Sequence, residues 1–218
     1  PTIYEVPLKM REQNLDLVLL EKLNLPADKP SDMKAWEAFV EKVKNPSKRV
    51  DIALVGKYVE LPDAYKSIIE SFVHAGAVND CKVKLHLVAA EKVTPASVEE
   101  LLGKMNGIMV APGSGNRGVD GKLTAVKYAR ENKVPFFGIC LGMQCAVIEF
   151  ARNVLGYENA NSTEMAPTTC PVIDVMEEQK GLSEGSTMRR GAYPCHLDPH
   201  SKVCRAYNAT TIEERHHH

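Results

Sequence analysis

The 218-residue sequence contains no apolar run long enough to cross a membrane. A spanning helix needs about 20 consecutive apolar residues, and no stretch approaches that length. The start of the sequence, residues 1–13 (PTIYEVPLKMREQ), also lacks the basic-then-apolar pattern of a secretory signal. We therefore expect a cytoplasmic protein without a membrane partner.

An excess of charge of either sign is missing as well. The formal net charge is -1, with 44% hydrophobic and 25% charged residues, which is typical of a globular protein. Such a balance gives no electrostatic reason to expect nucleic acid as a partner. The length suits one domain of ordinary size, or one domain with an appendage, and it is sufficient for a full hydrophobic core.

The six cysteines form no C-x-x-C pair and show no zinc-type spacing. Together with the lack of a signal peptide, this pattern favours a reduced compartment, in which most cysteines are small buried apolar residues. The run of histidines at residues 216–218 is set aside because it fits both the start of a purification tag and genuine sequence. No metal site is predicted.

Residues 1–48 are interpreted as a helical linker. Residues 14–23 carry leucine and valine at helical spacing, and a second helix is predicted from a cap at Ser31 or Asp32 to Lys44. Residues 46–48 (PSK) then separate the linker from the main domain, which is predicted to span residues 49–218.

From residue 49 onward, short apolar strands alternate with amphipathic helices. Strands are predicted at residues 50–56, 82–88, 107–111 and 134–139, and helices at residues 65–77, 95–105, 123–132 and 141–153. This alternation predicts a doubly wound parallel α/β sheet with helices on both faces. Ligands of such sheets bind beyond the carboxyl ends of the strands. Residues 160–200 are interpreted as loops and short strands, and no internal repeat is present.

The strongest local signal is the segment 138–142 (GICLG), in which Cys140 stands between two glycines. This is the pattern of a sharp strand-to-helix turn that points a nucleophile outward. The positive N-terminal end of the following helix favours a thiolate, and the Leu141 N–H is available to hold an oxyanion. The alternative is a buried structural cysteine in a tight turn. Cys145, five residues later, is predicted to lie in the core.

A second glycine-rich turn, residues 112–118 (PGSGNRG), precedes the helix that leads to the Cys140 strand. Its N–H groups can supply a second oxyanion donor. A phosphate cradle is the rival interpretation, although the Gly-Lys-Ser/Thr ending of a P-loop is missing. Taken alone, the turn favours a third interpretation, that of an ordinary flexible loop.

A thiolate nucleophile usually works with a histidine that a carboxylate orients. His74 falls in a predicted helix and His86 in a predicted strand, where both are interpreted as structural or exposed. His196 and His200 lie in the loop-rich region without any supporting pattern. The residues alone therefore predict an activated cysteine and an oxyanion hole, with no convincing base.

Several segments together resemble one known family. Residues 138–144 (GICLGMQ) are similar to the nucleophile motif of the class I (triad) glutamine amidotransferases. The segments that resemble the branch of this family that aminates UTP are residues 52–60 (IALVGKYVE), 117–122 (RGVDGK), 160–164 (ANSTE), 187–191 (TMRRG) and 213–216 (EERH). The resemblance extends from the linker to the last residue.

The resemblance implies a flavodoxin-like sheet and the hydrolysis of glutamine to glutamate and ammonia. Cys140 would attack the side-chain amide of L-glutamine, form a glutamyl thioester and release ammonia. Gly113 and Leu141 would donate the oxyanion-hole N–H groups, and Gln144 and Glu164 would bind the amino-acid end of the substrate, Glu164 through its α-ammonium. The expected glutamine-binding residues are Gly113, Leu141, Gly142, Met143, Gln144 and Glu164.

The resemblance also implies a synthetase domain N-terminal to the linker. There, ATP and Mg would serve to phosphorylate UTP, and the ammonia would be captured to give CTP. No cofactor is expected for the glutaminase domain itself. GTP is expected as an activator, and the full-length enzyme is expected to be a homo-oligomer. We therefore expect this sequence to be a glutaminase half with its linker.

The sequence departs from the family pattern at several points. The family's histidine base and its orienting carboxylate lie in a late His-Pro-Glu motif, and its substrate-carboxylate arginine follows the EERH segment; these residues contain neither, so we expect an incomplete domain. Ser114 stands where the family usually has phenylalanine, and Arg190 where it usually has leucine, both in loops that in the family border the synthetase domain and GTP. Pro112 replaces a glycine and lacks an N–H, which leaves Gly113 as the donor in that turn.

Two other functions fit the same turn around Cys140. The first is another cysteine hydrolase or peptidase with a similar sheet and a nucleophile at the same kind of elbow. The second is a binding module of flavodoxin-like fold without catalysis. Labelling of Cys140 by a glutamine-like electrophile, with and without glutamine, distinguishes the three.

Overall fold

The computed structural model describes residues 1–27, 31–176 and 191–216. The chain folds as two compact units. We call residues 1–113 with 117–142 the sheet unit, and residues 114–116 with 143–218 the C-terminal unit. Each unit is described by itself.

The sheet unit begins with helices that precede the first strand. They are a 3-10 helix at Ile3–Glu5, α1 at Val6–Glu12, α2 at Leu15–Lys22 and α3 at Lys34–Lys44. Helices α2 and α3 were predicted, whereas α1 was not. The predicted cap at Ser31 or Asp32 is wrong, because the N-cap residue of α3 is Met33 and no side chain caps the helix. Asp32 Oδ1 accepts from the Lys34 N–H at 3.0 Å, and Ser31 donates to Asp16. The domain boundary at residue 48 stays a prediction.

Four parallel strands form the sheet in the order β2-β1-β3-β4. They are β1 at Lys48–Gly56, β2 at Cys81–Ala89, β3 at Gly107–Val110 and β4 at Phe136–Gly138. The chain first adds β2 on one side of β1, and then adds β3 and β4 on the other side. This reversal creates a switch point between β1 and β3, which is where doubly wound sheets bind their ligands.

The connections between the strands are helical. They contain α4 at Lys66–Val78, α5 at Val98–Leu102 and α6 at Val119–Glu131. Because crossovers between parallel strands are right-handed, the reversal of strand order places α4 on one face of the sheet and α5 and α6 on the other. The predicted parallel sheet with helices on both faces is confirmed.

The middle strands carry the core of the sheet unit. Ala53, Leu54 and Val55 of β1 are fully buried, and so is Val110 at the end of β3. Continuous burial on both faces explains why β1 shows an uninterrupted apolar run instead of an alternating pattern. Two helix predictions need correction: α5 is shorter than residues 95–105, and α6 begins at Val119, before the predicted residue 123.

An aromatic cluster attaches the first helices to α4. Trp36 Nε1 donates to the Tyr4 carbonyl at 2.8 Å, and the rings of Tyr4 and Phe39 meet edge-on at 5.1 Å. The Tyr4 hydroxyl donates to Glu70 Oε2 at 2.5 Å and lies 2.8 Å from His74 Nε2. Burial, followed by the hydrogen bond to Glu70, raises the pKa of Tyr4 to about 12.

Helix α7, at Leu141–Asn153, has the predicted bounds and continues into the C-terminal unit. That unit also contains the short strands expected after residue 160. They are β5 at Ala160–Ser162, parallel to β6 at Cys170–Ile173, and β7 at Gly191–His196, antiparallel to β8 at Thr211–His216, with α8 at Lys202–Tyr207 between the last two. Most of the TMRRG segment, including Arg190, lies outside the described residues.

In the part of the chain that the structure describes, no helix combines the length and apolar character that a membrane span requires. Among the same residues, no cysteine pair forms a disulfide.

Candidate active site

Cys140 lies at a sharp turn between strand and helix. Strand β4 ends at Gly138 and α7 begins at Leu141. The φ angle of Cys140 is 51°, in the left-handed region that residues with a side chain seldom adopt. Such strained positions occur preferentially at functional sites. The residue is partly exposed, so the deep burial expected of a purely structural cysteine does not apply.

Two hydrogen bonds close this turn and join it to the sheet. The Gly142 N–H donates to the Ile139 carbonyl at 2.8 Å, and the Ile139 N–H donates to the Val110 carbonyl at 3.1 Å. A Cβ atom on Gly142 would lie 2.1 Å from the Val110 oxygen. The glycine after the cysteine is therefore needed because backbone passes directly against backbone at this point.

The second predicted oxyanion donor lies beside the first in the sheet unit. Gly113 follows the end of β3, and a Cβ atom on it would lie 3.6 Å from the Leu141 side chain. The carboxyl ends of β3 and β4 thus bring together the two residues whose N–H groups were predicted to hold an oxyanion. Their roles in catalysis stay a prediction.

In the C-terminal unit, Gln144 and Glu164 form a hydrogen-bonded pair. Gln144 is buried on α7, and its Nε2 donates to Glu164 Oε2 at 3.0 Å. An amide group that donates a hydrogen bond to one carboxylate oxygen also fixes the orientation of the second carboxylate oxygen. The structure therefore brings together the two side chains predicted to bind the amino-acid end of glutamine, although their function, like that of Met143, stays a prediction.

The serine and threonine of the ANSTE segment form hydrogen bonds in the turn that carries Glu164. Ser162 is fully buried, and its Oγ accepts from the Glu164 N–H at 3.2 Å. The Thr163 hydroxyl donates to Asp174 Oδ1 at 2.6 Å. The hydroxyl groups of Ser162 and Thr163 thus hold the backbone next to the Glu164 carboxylate in place.

The two histidines of the sheet unit have contacts away from Cys140. His74 lies in α4 beside Tyr4, and His86 Nε2 in β2 lies 2.6 Å from Asp51 Oδ1. Hydrogen bonds from Arg49, and then from His86, lower the pKa of Asp51 to about 2. Asp51 lies five residues before the carboxyl end of β1, about 16 Å along the strand, so this pair is remote from the end that carries the cysteine turn.

His196 lies in β7, where its Nδ1 is 3.3 Å from Thr211 Oγ1, and His200 lies in the turn before α8. No sequence pattern supported either histidine as the base, and these contacts provide no such support. Within residues 1–27, 31–176 and 191–216, no group of three His, Cys, Asp or Glu side chains is arranged to hold a metal ion.

Sequence analysis missed two buried lysines next to the glycine turn. Lys122 on α6 is fully buried and Lys57, after β1, is 6% exposed. Lys122 Nζ donates to the Ala111 carbonyl at 2.7 Å. A signal was present for Lys122, because it falls at helical spacing with the buried residues Ala125 and Ala129 of the same helix.

Comparison with known proteins agrees with this architecture. The family model described as "Glutamine amidotransferase class-I" matches residues 60–218. This chain therefore belongs to the class I glutamine amidotransferase family, as the resemblance implied.

Among curated relatives, the CTP synthase of Cytophaga hutchinsonii is 56% identical and that of Bacteroides fragilis 54% identical, each over 219 aligned residues. Each alignment covers 100% of this chain but 41% of the relative, so the chain spans about two fifths of their length. A solved structure described as "Trypanosoma brucei CTPS - glutaminase domain with bound acivicin" is 37% identical with a TM-score of 0.67. That match covers 78% of this chain and 66% of the neighbour.

Proposed function

We propose that this chain hydrolyses glutamine to glutamate and ammonia through Cys140, and that the full-length protein uses the ammonia to aminate UTP to CTP. The observation that carries the proposal is the left-handed backbone of Cys140 between β4 and the N-terminus of α7. A side chain at such a turn projects from the carboxyl end of the sheet, where doubly wound folds bind substrates.

In the proposed reaction, the Cys140 thiolate attacks the side-chain carbonyl carbon of glutamine. The resulting oxyanion accepts hydrogen bonds from the N–H groups of Gly113 and Leu141. Collapse of this intermediate breaks the carbon–nitrogen bond, and the amide nitrogen takes up a proton and leaves as ammonia. Water then cleaves the thioester to give glutamate and regenerates the thiol. The resemblance assigns the proton transfers to the histidine of the His-Pro-Glu motif, which these residues do not contain.

The proposal includes a recognition role for Gln144 and Glu164. The Glu164 carboxylate would pair with the α-ammonium group of glutamine. Gln144 would hold the Glu164 carboxylate in the required orientation. The hydrogen bond between the two side chains, together with the rigid turn at Ser162, supports this assignment. A carboxylate held in advance binds an ammonium group at a lower cost in side-chain entropy.

The partners of the full-length protein are proposed from the family resemblance. ATP, Mg and UTP belong to the synthetase domain of the same polypeptide, whereas the hydrolysis of glutamine needs no cofactor. GTP is proposed as an activator, and a cytoplasmic homo-oligomer is proposed as the working form.

Acivicin tests the proposal, since this electrophilic amino acid is bound in the T. brucei neighbour. We expect stoichiometric labelling of Cys140 that L-glutamine suppresses, measured by intact mass and peptide mapping of the full-length protein. Labelling that glutamine does not suppress would instead support a different cysteine hydrolase. The absence of any labelling would support a binding module without catalysis.

Glu164→Gln is expected to raise the KM for glutamine by about 10- to 30-fold, with a smaller change in kcat. The substitution removes the charge that pairs with the α-ammonium group, and a charge-assisted hydrogen bond contributes about 1.5–3 kcal/mol. Steady-state glutamate release measures both constants.

Glu158→Gln, at an exposed position of the same unit, provides the matched control and is expected to leave KM unchanged. An unchanged KM in Glu164→Gln would show that this carboxylate does not contact the substrate.

A further inference from the structure

Lys122 contacts the loop that carries the proposed oxyanion donor Gly113. Its side chain starts on α6, is fully buried, and ends with Nζ 2.7 Å from the Ala111 carbonyl oxygen. The same Nζ lies 3.7 Å from the position that a Cβ atom on Gly113 would occupy. An α6 side chain thus reaches across to the carboxyl end of β3.

Both backbone polar groups of Ala111 form hydrogen bonds. Its N–H donates to the Val55 carbonyl of β1 at 2.9 Å, and its carbonyl accepts from Lys122. The residue is therefore fixed from both sides, one step before Pro112, whose ring restricts the backbone further. The next N–H along the chain is that of Gly113, so its position depends on how Ala111 is held.

Burial of a lysine side chain at this position is unfavourable in free energy, so the presence of the lysine calls for an explanation. Lysine donates hydrogen bonds and accepts none, and removing its amine from water is unfavourable without well-placed acceptors. Methionine would fill a similar volume without that cost. A requirement for a donor at the Ala111 carbonyl explains why the buried face of α6 carries a lysine among alanines and valine.

Lys57 also lies next to Gly113. Its Cδ lies 3.7 Å from the Cβ position of Gly113. Its backbone is held by the Tyr65 hydroxyl, which accepts from the Lys57 N–H at 2.9 Å, and by Arg117, which donates to its carbonyl at 3.2 Å. Two buried lysine side chains of the sheet unit therefore lie next to Gly113.

We propose that Lys122 is a positioning residue for the oxyanion hole, acting through its hydrogen bond to the Ala111 carbonyl. This inference rests on the proposed glutaminase function. Loss of an oxyanion donor costs about 10²- to 10³-fold in kcat, and displacement of a donor that remains present costs less.

The test compares Lys122→Met with Lys127→Met in the full-length protein. Lys127 lies on the same helix, exposed, and pairs with Glu131. For Lys122→Met we expect kcat for glutamine hydrolysis to fall about tenfold, with KM within about twofold. The rate of Cys140 alkylation by iodoacetamide should stay within about twofold, because alkylation forms no oxyanion that needs stabilisation. Lys127→Met should match the wild type in all three measurements.

Lys122→Gln, which keeps a donor but has a shorter reach, provides a second variant and should fall between wild type and Lys122→Met in kcat. An unchanged kcat in a folded Lys122→Met protein would overturn the proposal. So would parallel losses in kcat and alkylation, or unfolding of both Lys122 variants at the assay temperature, since each indicates a structural role only. Lack of glutamine hydrolysis by the wild type would instead reject the proposed function.

Discussion

Replacement of Cys140 by serine is expected to lower glutamine hydrolysis on the order of 10⁴-fold or more and to abolish labelling by acivicin. A thiolate is itself the attacking group, whereas a serine hydroxyl must first lose its proton to a base. The left-handed backbone at residue 140 accepts serine about as well as cysteine, so the folded structure should persist. Glutamate release and intact mass, measured on the full-length protein, provide the two readouts.

Cys145→Ala is the matched control for this substitution. Cys145 lies on α7, the helix that follows Cys140, and is fully buried, so it should react slowly, and its truncation should cost about 1 kcal/mol of stability without affecting chemistry. Loss of labelling in Cys145→Ala, or persistent glutamine-protected labelling in Cys140→Ser, would show that the nucleophile has been assigned to the wrong cysteine.

The cysteine turn could be predicted because its determinants are local. A short apolar strand, glycines on both sides of the cysteine and an apolar helix all occur within residues 136–153, and each specifies its own conformation. The predicted bounds of α7 agree with the structure for the same reason. The strand β1 was equally evident, since a strand buried on both faces has a continuous apolar run.

Helix α1 and the true length of α5 could not be read from hydrophobic spacing. Helix α1 has no buried residue, and it begins after a capping box in which the Thr2 N–H donates to Glu5. Helix α5 is delayed to Val98 because Thr94 and Ser97 exchange hydrogen bonds in the preceding turn. The capping box lies at the start of the 3-10 helix Ile3–Glu5, and α1 itself has no side-chain cap. At α5, side-chain-to-backbone hydrogen bonds, and not apolar periodicity, set the helix boundary.

The buried lysines were missed for a different reason. Lysine is assigned to the surface by default, and only contacts from distant segments can reverse that assignment. The acceptor of Lys122 is the carbonyl of Ala111, 11 positions earlier and directly after strand β3. The pairing of Gln144 with Glu164 is similar, because it joins residues 20 positions apart. Family resemblance named those two, whereas neither composition nor spacing did.

Gly142→Ala is expected to lower the free energy of unfolding by about 3 kcal/mol. The added Cβ would lie 2.1 Å from the Val110 carbonyl oxygen, and neither backbone segment can move without breaking the hydrogen bonds that close the cysteine turn. The start of α7 would have to shift away from β3, taking the Leu141 N–H with it. Glutamine hydrolysis should therefore fall in the fraction of protein that stays folded. Urea unfolding followed by circular dichroism measures the change in stability.

Gly107→Ala isolates the effect of backbone crowding, because it introduces the same methyl group at the start of β3, the strand against which Gly142 packs. There the nearest atom is Ile52 Cδ1 at 2.9 Å, the end of a side chain that can rotate, and the nearest backbone atom is 3.5 Å away. We expect a loss of about 1 kcal/mol or less, with hydrolysis unchanged. Similar losses in the two variants would mean that the cysteine turn is not closely packed against β3. A stable Gly142→Ala protein with full activity would contradict the placement of the oxyanion donors at this contact.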